Sequence, residues 1–89
     1  MIIADCSDLD PINRKMYSVQ YQDNSYWFRP VGNRTDLWVA VKDSPENAEY
    51  TRYSLQIKNK IYCDCEGYRR AHKCRHVEML QEIKKQFKL

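Results

Sequence analysis

Glycine is nearly missing from this chain: Gly32 and Gly67 are the only two among 89 residues. A phosphate-cradling loop needs several glycines so that backbone N–H groups can close on an anion, which excludes a P-loop and a dinucleotide fingerprint. Long apolar runs are missing too. No stretch approaches the roughly 18–20 apolar residues of a membrane-spanning helix, so no membrane partner is expected. The opening Met1-Ile2-Ile3-Ala4-Asp5 reaches an acid too soon to read as a secretion signal. The expected setting is therefore intracellular and reducing, whether cytoplasm, nucleus or nucleoid (a host cell, for a viral chain). Length is scarce as well. A chain of this size buries roughly 60–65% of its unfolded surface, so a modest core is expected and a catalytic cleft is hard to build.

What is present is unevenly spread. Residues 1–57 carry six Lys/Arg against eight Asp/Glu, and residues 58–89 carry nine against four, within a net charge of +3. A basic C-terminal third on a mildly acidic body suits an anionic partner, nucleic acid being the commonest. The same charges also fit an ordinary solvated helix face.

The hydropathy pattern changes along the chain. Residues 1–15 are dominated by turn formers (Asp5, Ser7, Asp8, Asp10, Pro11, Asn13) and read as a loosely ordered leader, with Cys6 a bystander. Residues 16–89 read as one small domain. Alternation of period two marks strands at about 16–22, 26–30, 37–42, 51–58 and 60–63. Turns are expected at Asp23-Asn24-Ser25, Gly32-Asn33-Arg34 and about Asn59, and a loop at 43–47 with Ser44 and Pro45 placed to start a helical turn. In the third strand Leu37, Val39 and Val41 share one face, expected to be the inner one, and Trp38 and Ala40 the other. The last segment is helical from about 75 to 88, with His76, Leu80, Ile83 and Phe87 forming one stripe. The expected fold class is α+β: a small antiparallel sheet packed on one C-terminal helix.

Three of the four cysteines, Cys63, Cys65 and Cys74, fall within twelve residues, and Cys6 stands apart. An even count allows disulfides in three connectivities, but a bridge between Cys63 and Cys65 would be badly strained, and clustered thiols in a reducing compartment more often bind metal. Cys63-Asp64-Cys65, eight residues, then Cys74-Arg75-His76 supplies the four N and S donors that tetrahedral Zn²⁺ takes. Cysteines at i and i+2 on extended chain point to one side. The arm Glu66–Lys73 can loop back, with Gly67 free to take positive φ. Cys74 and His76 cannot share a helix face, so Cys74 belongs at the cap and His76 in the first turn, pointing at the core. His72 is the competing fourth ligand. One Zn²⁺ per chain is expected, and a staple of this kind would supply folding free energy to the hairpin and helix.

A catalytic role is not expected. Three thiolates and one imidazole fill a tetrahedron, whereas catalytic zinc keeps a position open for water. His72 and His76 are spaced as in a zincin, but no Glu follows the first of them as general base. A thiolate held by zinc is also unavailable as a nucleophile.

Cys-x-Cys, a short arm and Cys-x-His resemble the SWIM-type zinc finger. The similarity extends to the alternating Tyr53-Ser54-Leu55-Gln56-Ile57 before the first pair, to Glu66-Gly67-Tyr68 after it, and to Val77 and Leu80 after the histidine. It covers about residues 50–85, placing a SWIM-like element at about 50–89. The resemblance implies a ββα arrangement and binding to DNA or to proteins. For nucleic acid, Arg69, Arg70, Lys73 and Arg75 bracket the ligands, with Lys58 and Lys60 on the preceding turn; such cations contact phosphates, which position a protein without reading sequence. Tyr53, Tyr62 and Tyr68 would stack on bases if exposed, although tyrosines also fill half-buried strand faces. For a protein partner, Tyr26, Trp27, Phe28 and Trp38 give an aromatic sheet larger than one helix covers, which homodimerisation or docking to a DNA-processing or recombination protein would hide. A stability adapter without nucleic-acid contact is the third reading.

Overall fold

The computed structural model describes residues 1–7, 15–22, 24–32, 34–43 and 51–89. Alternating segments give a sheet in which each strand pairs with the next. Its strands are β1 (Ile2–Asp5), β2 (Tyr17–Tyr21), β3 (Asn24–Pro30), β4 (Leu37–Asp43), β5 (Thr51–Ile57) and β6 (Ile61–Cys63), followed by helices α1 (Glu66–Ala71) and α2 (Arg75–Phe87). Spatial order equals chain order and every pairing is antiparallel. The fold is α+β, as the alternation and the single apolar stripe predict. Among the described residues no helix is long and apolar enough to cross a membrane.

The pairing register decides which face is buried. Tyr17 lies opposite Phe28, Phe28 opposite Ala40, Trp38 opposite Leu55, and Leu55 opposite Cys63. Directly paired residues share a face, so these form one continuous inner surface with Val19 and Tyr26, and all are buried. Helix α2 covers that surface. Its Leu80 and Ile83 are fully buried, as is Met79, and His76 and Val77 are nearly so. Phe87 ends the stripe against Tyr17, ring centroids 4.9 Å apart. The stripe of His76, Leu80, Ile83 and Phe87 is thus the packed face of α2.

Several sequence expectations change. Trp38 and Ala40, not Leu37, Val39 and Val41, face the helix; the latter three are half-buried on the outer surface. Alternation separates two faces without saying which is inner, and three branched residues looked the more apolar choice. A large indole beside a small Ala40 gives the relief into which a helix can pack. The leader needs correction at its start: Ile2–Asp5 form β1, and Ile3, opposite Val19, packs against the core; residues 8–14 of it lie outside the described residues. Its signal was one inward side chain in four residues, since Ile2 is 71% exposed. The β2–β3 turn falls earlier than Asp23-Asn24-Ser25 indicated, with Gln22 at φ 56° and Asn24 and Ser25 already in β3. The helical turn expected at Ser44-Pro45 lies outside the described residues.

Because Leu80 is wholly enclosed between helix and sheet, Leu80→Ala is expected to destabilise the protein by about 2–5 kcal/mol. Urea unfolding checks this: the midpoint should fall with an unchanged slope, which reports lost stability rather than a changed denatured state.

Candidate metal centre

The site starts from one acidic residue. Asp64 extends the β5–β6 ladder one step past β6, its N–H donating to the Ser54 carbonyl (3.1 Å) while its Oδ1 accepts from the Ser54 N–H (2.9 Å). Its exposed side chain is thereby tied to β5 on the solvent side. With Asp64 turned outward, Cys63 and Cys65 both turn inward, at 6% and 7% exposure. Period-two geometry is enough to explain the Cys-x-Cys spacing.

Cys65 is also the N-cap of α1. Its backbone is extended, and its Sγ accepts from the Tyr68 N–H at 3.4 Å. Here the sequence reading is overturned: the arm from Glu66 is a helix, not a loop, and Gly67 is helical rather than left-handed. The left-handed residue is His72, φ 57°, whose N–H bonds the Tyr68 carbonyl at 2.7 Å and closes α1. Tyr68 anchors the short helix at 7% exposure. Lys73 then leads to Cys74, extended at φ −157° and N-cap of α2. His76 follows as the second residue of α2, so cap and first turn carry their ligands as the spacing required.

These pieces bring one donor atom each from Cys63, Cys65, Cys74 and His76 to within 4.8 Å of one another. The four can hold one metal ion. His76 Nδ1 lies 3.8 Å from Cys63 Sγ; the edge of a tetrahedron with bonds of about 2.0–2.3 Å is about 3.3–3.8 Å. The imidazole is held in place by two aromatics that sequence reasoning did not assign to the site. Tyr53 stacks on it at 4.1 Å between centroids, and Tyr26 meets it edge-on at 5.6 Å. Their signal was strand parity, since Tyr53 and Tyr26 share the inner face with Leu55 and Phe28. His72, the competing ligand, is exposed, meets Tyr68 edge-on and is not part of the cluster. Cys6 lies elsewhere, its Sγ 3.5 Å from Ser18 Oγ. All four cysteines are free thiols.

The electrostatics favour a cation. Hydrogen bonding to Cys74, then burial, pushes the Cys63 thiol far above its ordinary range, while the same contact holds Cys74 down at about 4. Removing every proton from so tight a group needs a positive charge at its centre. With a divalent ion, three thiolates and a neutral imidazole leave one net negative charge. Helices α1 and α2 both begin at the cluster, so the N–H groups of two first turns face that charge.

All six cations singled out in the sequence, Lys58, Lys60, Arg69, Arg70, Lys73 and Arg75, are exposed. Lys73 and Arg75 line a concavity of about 560 Å³ beside Cys65, Cys74 and His76. Arg70 pairs with Glu66 at 2.7 Å, and the Arg75 guanidinium sits 5.6 Å from the Tyr21 ring centroid. Lys58 and Lys60 lie at the β5–β6 turn, the end of the hairpin away from Cys63, and Lys60 Nζ is 5.3 Å from the Tyr62 ring centroid. Of the six, only Lys73 and Arg75 line the concavity beside the ligands.

Three substitutions separate this geometry from its competitors. His76→Ala should abolish stoichiometric binding of a cobalt(II) probe, read from its thiolate charge-transfer and d–d absorption, and His72→Ala should leave that spectrum intact. Gly67→Ala should keep the metal and raise stability by roughly 0.5–1 kcal/mol, because a helical glycine costs about that much relative to alanine. A Cβ at Gly67 meets only Cys65 Sγ and Cys74 Cβ, each at 4.0 Å.

No protein-family model, curated protein or solved structure matches this chain. The chemistry of the site therefore carries the functional argument.

Proposed function

We propose that this chain is a zinc-binding module with a structural Cys₃His site, and that it binds nucleic acid, DNA in the first instance, through the basic segment beside that site. The observation that carries the reading is the convergence of three thiols and one imidazole from β6, α1 and α2. Soft sulfur donors in a four-coordinate set select zinc over the hard divalent cations. With all four positions filled by protein, the ion holds elements together and has no place for a reacting water. The order β5, β6, α2 around the ligands also supports the SWIM-type resemblance, with α1 occupying the variable arm.

Support for nucleic acid comes from where the cations sit. Arg69, Arg70, Lys73 and Arg75 are exposed on α1, on the connection and on the first residue of α2. A metal that fixes Cys65 and Cys74 fixes these residues with them, so little ordering entropy opposes contact with phosphates. The Arg70–Glu66 pair is solvent-exposed and worth well under about 1 kcal/mol, so a phosphate readily displaces it. One observation favours the protein-partner alternative. Trp27, Leu37, Val39 and Val41 make a half-buried apolar patch on the otherwise polar outer face of the sheet, opposite α2.

Elemental analysis should find one zinc per chain. Binding to duplex DNA should be sequence-independent, with log K falling against log salt at a slope of about −3 for three to four phosphate contacts. Replacing Arg69 and Arg70 together by Ala should flatten that slope by about 1.8 while zinc content stays the same. Salt-independent binding, or none near about 50 mM salt, would transfer the function to the outer sheet face. Light scattering on the same sample then reads monomer against dimer.

A further inference from the structure

The far end of α2 from the metal ligands holds a second feature, which the zinc module does not use. A cavity of about 460 Å³ opens between the last turn of α2, the start of β2, the end of β3 and the start of β4. Its floor is made by Tyr17, Pro30, Trp38 and Ile57, and its lining is overwhelmingly apolar. Tyr17 and Trp38 lie with centroids 6.0 Å apart, and Tyr17 is backed by Phe87. The one polar atom of the indole is satisfied, since Trp38 Nε1 donates to the Thr35 carbonyl at 3.2 Å. The indole therefore asks for nothing polar from an occupant. The rim differs. Lys15, before β2, and Lys84, on α2, contribute cations, while Arg34 is engaged by Asp36 through two hydrogen bonds of 2.9 and 2.8 Å.

We propose that this cavity binds a small amphipathic carboxylate, an acyl or aryl body resting on Tyr17, Trp38 and Ile57 with its anionic head at Lys15 and Lys84. The volume lies in the range of small-molecule sites, which combine an apolar lining with a few convergent polar groups. Charge selects the head: a neutral amphiphile gains the same burial without the two cations, and a cationic one meets repulsion. Helix α2 is 13 residues long, about 20 Å, so the site stands independently of the metal and of the basic arm at its other end.

Decanoate, kept below its micellar concentration, is the probe. Trp27→Phe leaves Trp38 as the sole indole reporter, since Trp27 lies on the opposite face of the sheet. Decanoate should change Trp38 fluorescence saturably at one per chain, and should shift the backbone amide signals of Tyr17, Ile57 and Lys84 but not of His76. Lys15→Gln with Lys84→Gln should weaken decanoate about fivefold, as expected for two solvent-facing ion pairs, and leave decanol unchanged. The proposal is overturned by any of three results: no saturable change, equal affinity for decanol and decanoate, or shifts centred on His76. An unchanged decanoate affinity in the double variant would overturn it as well.

Discussion

Three thiols and an imidazole brought within 4.8 Å of each other make the constraint on which the C-terminal half of this protein depends. Such a group cannot ionise fully on its own: the Cys63–Cys74 contact already raises one thiol and lowers the other. A divalent cation removes the conflict and converts four costly neighbours into a crosslink among β6, α1 and α2. The surroundings are built to the same end. Asp64 turns its two flanking cysteines inward, Tyr53 and Tyr26 hold the imidazole, and both helices start with a ligand as their N-cap.

The two helices would depend on such a crosslink to different degrees. Helix α1 has six residues and one buried side chain, Tyr68. Isolated helices below about 12 residues are unstable in water, so α1 has little to hold it beyond its capping cysteine and that tyrosine. Helix α2 is secured by Met79, Leu80 and Ile83 on a sheet whose inner face is aromatic and continuous from Tyr17 to Leu55. Hydrophobic burial therefore anchors the later turns of α2, and on the proposed reading a metal at the four donors would anchor its first turn together with α1. The arm that carries Arg69, Arg70 and Lys73 sits on the metal-dependent side of this divide.

Much of this arrangement was legible from residue spacing, because the strongest signals were local. All five expected strands stand with ends moved by at most two residues, and the stripe His76, Leu80, Ile83, Phe87 fixed the packed face of α2. The ligand set followed from i, i+2 parity and from the impossibility of Cys74 and His76 sharing a helix face. What escaped depended on partners distant in sequence. Ile2–Asp5 become a strand only because β2 offers an edge, with Ile3 meeting Val19. The burial of Trp38 and Ala40 was set by the register with β3 and β5, which alternation within one strand does not encode. Gly67 suggested a loop through its own freedom, yet the capping sulfur of Cys65 and the burial of Tyr68 outweigh a single glycine's helix cost.

The central claim is that the metal, rather than the hydrophobic core, holds α1 and the first turn of α2 in place. Native-state amide hydrogen exchange before and after addition of a strong zinc chelator tests it most directly. The amides of Tyr68, His72 and Glu78, bonded at or beside the ligand-bearing caps, should lose protection together on chelation. Those pairing β2, β3 and β4 should stay protected. Unchanged protection at Tyr68, His72 and Glu78 after the metal has gone would contradict the account.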